Sequence, residues 1–284
     1  MIVRARAPLR LGLAGGGTDV SPYCDVHGGY VLNATINRYA YAVIKPLDEA
    51  AVRFIATDQQ QTVTMGLGEP VAFDGQLNLH KAVYREMVAN HNAGKPLALE
   101  LSTFCDAPAG SGLGSSSTLV VAMIKAFAEY LNLPLDDYQI AGLAYKIERE
   151  DCGLLGGRQD QYSATFGGFN FMEFRMDQNI VHPLRIHPDT LLELEESLLL
   201  CDTGTTHESG DIHEDQRREM QQDEDRRHAE EVAQYPGVVR RYQDALLEHQ
   251  QALRAAEQAR AQTGEDATRR PTSSCHRPRG LQCL

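Results

Sequence analysis

The chain has 284 residues, 42% of them hydrophobic and 23% charged, enough to bury one large core or two modest ones as a soluble globular protein. With 39 acidic and 27 basic side chains the formal net charge is −12, which argues against general affinity for nucleic acid or an anionic membrane. An anionic ligand would need a local positive pocket. The N-terminus, Met1–Pro8, carries two arginines but no apolar signal-peptide core, and no apolar run is long enough to span a bilayer. The six cysteines are scattered without a C-x-x-C pair, which suits a reducing cytoplasm.

In chain order, the alternating start predicts a strand that breaks at Leu13–Asp19, where three consecutive glycines permit close backbone approach. Tyr30–Ile44 is rich in β-branched and aromatic residues and reads as strands. Val52–Ala56 and Gln61–Met65 read as a hairpin pair, Leu77–Asn92 as a helix and Leu97–Thr103 as another strand. After the turn Asp106–Thr118, Val120, Ile124, Phe127 and Leu131 recur at helical spacing until Asn132-Leu-Pro134. A second helix opens with Asp136 as N-cap and Gln139 completing a capping box. Its apolar stripe is Ile140, Leu143, Ala144 and Ile147. Gly153–Tyr162 then reads as a glycine-bounded loop, with strands at Phe169–Phe174 and Leu198–Cys201. Beyond about Thr203 there is no phenylalanine and one isoleucine, Ile212. Asp211–Gln234 reads as a solvated, highly charged helix, and Arg269–Leu284 as disordered.

Three segments carry chemistry. In Pro108–Ser117, glycines at 110, 112 and 114 and serines at 111, 115, 116 and 117 lie between a strand and a helix start. Backbone N–H groups and the positive end of the helix dipole would face an anion there. A Ser-capped helix after a flexible turn needs fewer glycines and serines than this. No Gly-Lys-Ser/Thr follows, so the loop is not a Walker A, and a Rossmann fingerprint would put its third glycine at Ser115. The second segment is Arg10 with Gly15–Asp19: Asp19 suits sugar hydroxyls, and Arg10 either orients a phosphate or steadies a catalytic carboxylate. A polar turn capped by Asp19 is the plainer alternative. The third is Asp160, where the neighbouring Arg158 would keep an Asp ionised as a base for a hydroxyl. A solvated or helix-capping Asp is the alternative.

Taken together, Ala7-Pro-Leu-Arg10 with Gly15-Gly-Gly-Thr-Asp19, then Pro108–Ser117, then Gly157-Arg-Gln-Asp-Gln161, resemble the GHMP kinase superfamily over roughly residues 1–215. Within it the chain is most similar to the heptose 7-phosphate kinase group. The resemblance implies an α+β, two-domain fold. An N-terminal domain with a mixed β-sheet packed with helices (1–168) would bind ATP, and 169–235 would begin a ferredoxin-like second domain. It implies that Pro108, Gly110, Ser111, Gly112, Leu113, Gly114, Ser115, Ser116 and Ser117 wrap the ATP phosphates. Ser116 and Glu148 would be Mg²⁺ ligands, Asp160 the catalytic base, and Arg10 would stand where galactokinases have an active-site arginine. Gly16, Gly17, Thr18, Asp19 and Arg158 would meet the substrate, and Arg38 is a further candidate for its phosphate. Glycines where galactokinases carry Gly-Glu-His argue against galactose and for a heptose or fucose. The implied reaction is phosphorylation of a sugar phosphate at its anomeric hydroxyl, or of a fucose-type sugar.

One departure tempers this. The family's C-terminal glycine-rich motif is absent after Gly168, and 236–284 reads as an aberrant or disordered tail. We read a loss of the natural frame between Glu230 and Val238. The second domain is then expected to be incomplete, exposed strand edges would favour a homodimer, and a catalytically impaired sugar- and nucleotide-binding protein is the remaining alternative.

Overall fold

A computed structural model describes residues 1–199 and 201, together with single positions at 215, 218, 219, 222, 223, 226, 227, 247 and 251. The chain divides into two compact units, Met1–Gln221 and Gln222–Leu284, and every element named below lies in the first. The tail 236–284, the proposed frame loss and most of the charged segment Asp211–Gln234 fall outside the described residues.

The unit is built on a seven-stranded mixed sheet. Strand β1 (Val3–Ala14) pairs antiparallel with β2 (Gly29–Pro46), an 18-residue strand that spans the whole sheet. On its other edge β2 pairs with β5 (Leu99–Cys105) through Ala40–Pro46 and with β6 (Phe169–Phe174) through Gly29–Ala34. The hairpin β3 (Ala51–Ala56) and β4 (Gln61–Gly66) extends the β5 side, with β3 running parallel to β5. Strand β7 (Asn179–Pro183) extends the β6 side. Residues 169–183, expected to begin a second domain, therefore add two strands to the same sheet. The register of β1 on β2 shifts between Pro8 and Arg10 and again between Gly12 and Ala14. Such irregularities re-aim side chains, and here they flank Arg10.

Alternation along β2, β3 and β5 buries Ala40, Ala42, Ile44, Val52, Phe54, Leu99 and Leu101 on one face. The short α1 (Tyr23–His27) precedes β2, and α2 (Asn78–His91) precedes β5. The central α3 (Ser115–Leu131) packs against β1, β2, β5 and α2. Val120, Val121, Met123, Ile124 and Phe127 are all fully buried, so the helix is apolar nearly all round, as an enclosed helix must be. Each such large side chain contributes about 1.5–3 kcal/mol on burial. Asn132, in the left-handed region at φ 53°, ends α3.

Helix α4 (Asp137–Tyr145) starts with the expected capping box: Asp136 accepts from the Gln139 amide at 2.8 Å, and the Gln139 side chain accepts from the Asp136 amide at 2.9 Å. It continues directly into a π-helical turn, Lys146–Asp151. Two expectations fail here. The loop over Gly153–Tyr162 is cut short by α5 (Gln159–Phe166), so Asp160 lies in the first turn of a helix. Leu198, Leu199 and Cys201 form no strand, and α6 (Pro188–Ser197) precedes them with no buried residue. A second apolar cluster (Tyr162, Met172, Phe174, Val181) clamps α5 onto β6 and β7, with Tyr162 edge-on to Phe174 at 5.5 Å. That clamp sets where Asp160 points.

Candidate active site

The glycine-serine segment between β5 and α3 is a turn held by backbone conformation. Gly110, Gly112 and Gly114 sit at φ 75°, 73° and 74°, the left-handed region that a side chain disfavours. Gly114 is the N-cap of α3, and no side chain caps the helix. The first-turn amides of Ser115, Ser116 and Ser117 therefore point outward as donors at the positive end of the helix dipole. Ser111 Oγ is buried within the turn and has no partner. A Cβ on Gly114 would lie 3.2 Å from the Asp160 carboxyl carbon, so the turn and that carboxylate face each other in contact.

Arg10 joins the two. Its Nε donates to Asp160 Oδ1 at 2.6 Å and its Nη1 to the Gly112 carbonyl at 2.7 Å, while its amide donates to the Leu113 carbonyl at 3.2 Å. Of the two roles open to Arg10, the structure places it against the carboxylate. The side chains of the pair are 16% and 20% exposed, so water screens the contact only in part. Arg158, expected to fill this place, points elsewhere. Its Nη2 donates to Asp25 at 2.7 Å and to Ser21 at 3.2 Å, and its Nη1 to the Arg175 carbonyl at 2.7 Å and to Asn179 at 3.1 Å. These contacts occupy the guanidinium in holding α5 to α1 and β7. Arg38 is exposed on β2.

Asp19 is fully buried, and its carboxylate accepts from the Gly17 amide (3.2 Å), the Gln159 amide (2.8 Å) and Gln159 Nε2 (3.2 Å). Burial pushes its carboxyl above the ordinary carboxylate range against the opposing pull of the Gln159 amide, and the nearby Asp160 charge acts in the same direction as burial. A Cβ on Gly157 would lie 2.0 Å from Asp19 Oδ2, so glycine is required there for the carboxylate to reach α5. Asp19 thus ties the triple-glycine loop to the start of the Asp160 helix, and it does not present its oxygens outward. The Thr18 hydroxyl is similarly engaged, donating to the Gly15 carbonyl at 2.8 Å and accepting from the Tyr30 amide at 3.0 Å. Gly16 and Gly17 do face open space. With Arg10, Gly12, Gly112 and Gln159 they border a cavity of about 570 Å³.

Ser116, in the first turn of α3, meets Glu148. The Ser116 hydroxyl donates to Glu148 Oε1 at 2.8 Å, and Gln161 Nε2 donates to Glu148 Oε2 at 2.5 Å and to Ser117 Oγ at 3.0 Å. Glu148 comes from the π-helical turn, is 1% exposed and has no cationic side chain in ion-pair reach among the described residues. A buried carboxylate without a counter-charge, beside a hydroxyl at the glycine-serine turn, is a hard-oxygen donor set suited to Mg²⁺. Among the described residues no three His, Cys, Asp or Glu side chains converge as a ready-made cage. The residues the sequence did not single out are Gln159 and Gln161. Their signal was their place on either side of Asp160 in the third motif.

The family "GHMP kinases N terminal domain" matches residues 78–168. The chain is 49% identical over 219 residues to the D-glycero-alpha-D-manno-heptose 7-phosphate kinase of Campylobacter jejuni subsp. jejuni, covering 77% of this chain and 64% of that one. It superposes with a TM-score of 0.66 and 49% identity on a D-glycero-D-manno-heptose 1-phosphate kinase from Bacteriodes thetaiotaomicron, covering 69% of this chain and 63% of that one. A putative sugar kinase from Campylobacter jejuni gives a TM-score of 0.62 and 52% identity, covering 68% and 59%. The chain thus spans somewhat less than two thirds of the length of these relatives. The turn before α3, its facing carboxylate and these likenesses agree, and the chain carries a GHMP kinase N-terminal domain on that family's mixed α+β fold.

Proposed function

We propose that the chain transfers the γ-phosphoryl group of ATP to the anomeric hydroxyl of a sugar phosphate, with D-glycero-D-manno-heptose 7-phosphate as the substrate and the 1,7-bisphosphate and ADP as products. One observation carries the reading: the Asp160 carboxylate, held by Arg10 at 2.6 Å, lies against Gly114 at the uncapped start of α3. Phosphate oxygens would accept from the Ser115–Ser117 amides and the Ser111 hydroxyl. The sugar would occupy the space bordered by Gly16, Gly17 and Gln159, with its anomeric hydroxyl toward Asp160. The names of the similar proteins support a heptose phosphate over other sugars.

In the proposed step the anomeric oxygen forms a bond to the γ-phosphorus, the bond from that phosphorus to the β–γ bridging oxygen breaks, and ADP leaves with the electron pair. The hydroxyl proton passes to Asp160 and on to solvent. Arg10 keeps the carboxylate aimed, so that positioning and charge neutralisation do most of the work. Ser116 and Glu148 would hold Mg²⁺, which when bound offsets charge on the phosphates. The use of ATP and four free cysteines among the described residues fit a cytoplasmic setting.

The test is Asp160→Asn in an ADP-release assay, run with heptose 7-phosphate, fucose and galactose. We expect kcat on the heptose phosphate to fall by about 10²- to 10⁴-fold with KM for ATP little changed. A variant rate near that of the parent removes Asp160 from the chemistry. Faster turnover of fucose or galactose than of the heptose phosphate overturns the substrate.

A further inference from the structure

We propose that Gln161 is the positioning residue for the metal-holding pair, fixing Glu148 and Ser116 in the relation that lets them share a divalent cation with the nucleotide. The inference rests on the nucleotide-site reading above and adds to it a residue with no assigned role. Gln161 is fully buried and follows Asp160 in the first turn of α5. Its single amide nitrogen serves two elements at once, donating to Glu148 Oε2 in the π-helical turn and to Ser117 Oγ in α3. Both protons of the amide are then used. With Oε2 engaged, Glu148 turns Oε1 to the Ser116 hydroxyl at 2.8 Å. The amide cannot be reversed, because its carbonyl oxygen would then face a carboxylate oxygen across 2.5 Å.

The remaining atom of the group makes the case specific. Gln161 Oε1 is buried with no partner, and an unpaired buried acceptor is costly in a purely structural network. A methionine of the same length would fill the space without that cost, but would leave the buried Glu148 carboxylate with one donor fewer and free to swing. The chemistry that needs an amide here is the orientation of a carboxylate whose other oxygen must stay on the metal side. Residues that orient a ligand in this way typically alter metal affinity by about 10- to 100-fold when removed. One helix would then carry both the carboxylate that faces the sugar hydroxyl and the amide that aims the metal ligand, so both would move together with α5.

The experiment is calorimetric binding of AMPPNP, a non-hydrolysable ATP analogue, to the full chain and to Gln161→Met, first in EDTA and then with increasing Mg²⁺. Thermal unfolding is followed in parallel. We expect the EDTA affinity to stay within about twofold and the gain in affinity on adding Mg²⁺ to shrink by about tenfold or more. Equal weakening with and without Mg²⁺, or an unchanged Mg²⁺ gain, overturns the positioning role. If Gln161→Met does not fold, Gln161→Asn keeps the amide but draws it back by one methylene, and it must show the same selective loss. Failure of the parent chain to bind AMPPNP under either condition defeats the nucleotide-site reading itself, which separates the two ideas.

Discussion

His80 sits in the core of the domain, 2% exposed, with its Nε2 2.7 Å from the Thr103 hydroxyl and its ring beside Phe54. Its Nδ1 is buried without a partner. Burial alone drives its pKa down to about 4 from an ordinary 6.5. The folded state therefore refuses a proton that the unfolded chain accepts, and stability present above pH 6.5 is lost as pH falls toward 4. Between pH 7.5 and pH 5 this amounts to about 2 kcal/mol. Urea unfolding at the two pH values should show that loss, and His80→Gln should remove most of the difference. An equal loss in the variant would assign it to other groups. The same scale shows what was legible in the sequence and what was not. Asp160 and the Gly110–Ser117 turn could be singled out because their chemistry is local. The cation beside Asp160 could not be assigned by proximity along the chain, because Arg10 reaches it from β1 across 150 positions while Arg158, two residues away, faces α1 and β7.

Helix ends were readable where a side chain marks them. Asp136 and Gln139 announce α4 because both orphan donors are satisfied by residues three apart, and the structure has both bonds. Asp136→Ala should cost about 1 kcal/mol in unfolding free energy. Since the cap is exposed and lies outside the phosphate turn, the KM for ATP should not change. A shift in KM alongside the stability loss would mean that α4 transmits strain to Glu148 through the π-helical turn. By contrast, α5 starts at Arg158 with no side-chain cap, behind a run of glycines, so its first turn looks like loop in the sequence. The π-helical turn was equally hidden: a wider turn has no composition of its own, and only the inward Glu148 shows its consequence. The length of β2 escaped notice for a related reason, because one strand serving two neighbours keeps the same alternation throughout.

At the scale of the whole molecule, the acidic balance of 39 to 27 sets a constraint on how a polyphosphate can be held. The long-range field of a chain at −12 repels an anion, so the attraction must be short-range. In the proposed site the α3 N-terminus would supply it through neutral amides fixed by three left-handed glycines, while Arg10, which reaches the turn at the Gly112 carbonyl, is already committed to Asp160. Two consequences follow for the intact protein. A ligand that binds only the folded chain stabilises it by about 2.7 kcal/mol at a concentration of 100 Kd, so AMPPNP with saturating Mg²⁺ should raise the unfolding midpoint by that equivalent. Salt should not erode the effect, because screening weakens both the general repulsion and exposed ion pairs while leaving enclosed amide contacts largely intact. From about 0.05 M to about 0.5 M salt, at fixed saturating Mg²⁺, the Kd should tighten or stay within about threefold. A tenfold weakening over that range would show that exposed lysines and arginines grip the phosphates, and would move the anion site away from the turn before Ser115.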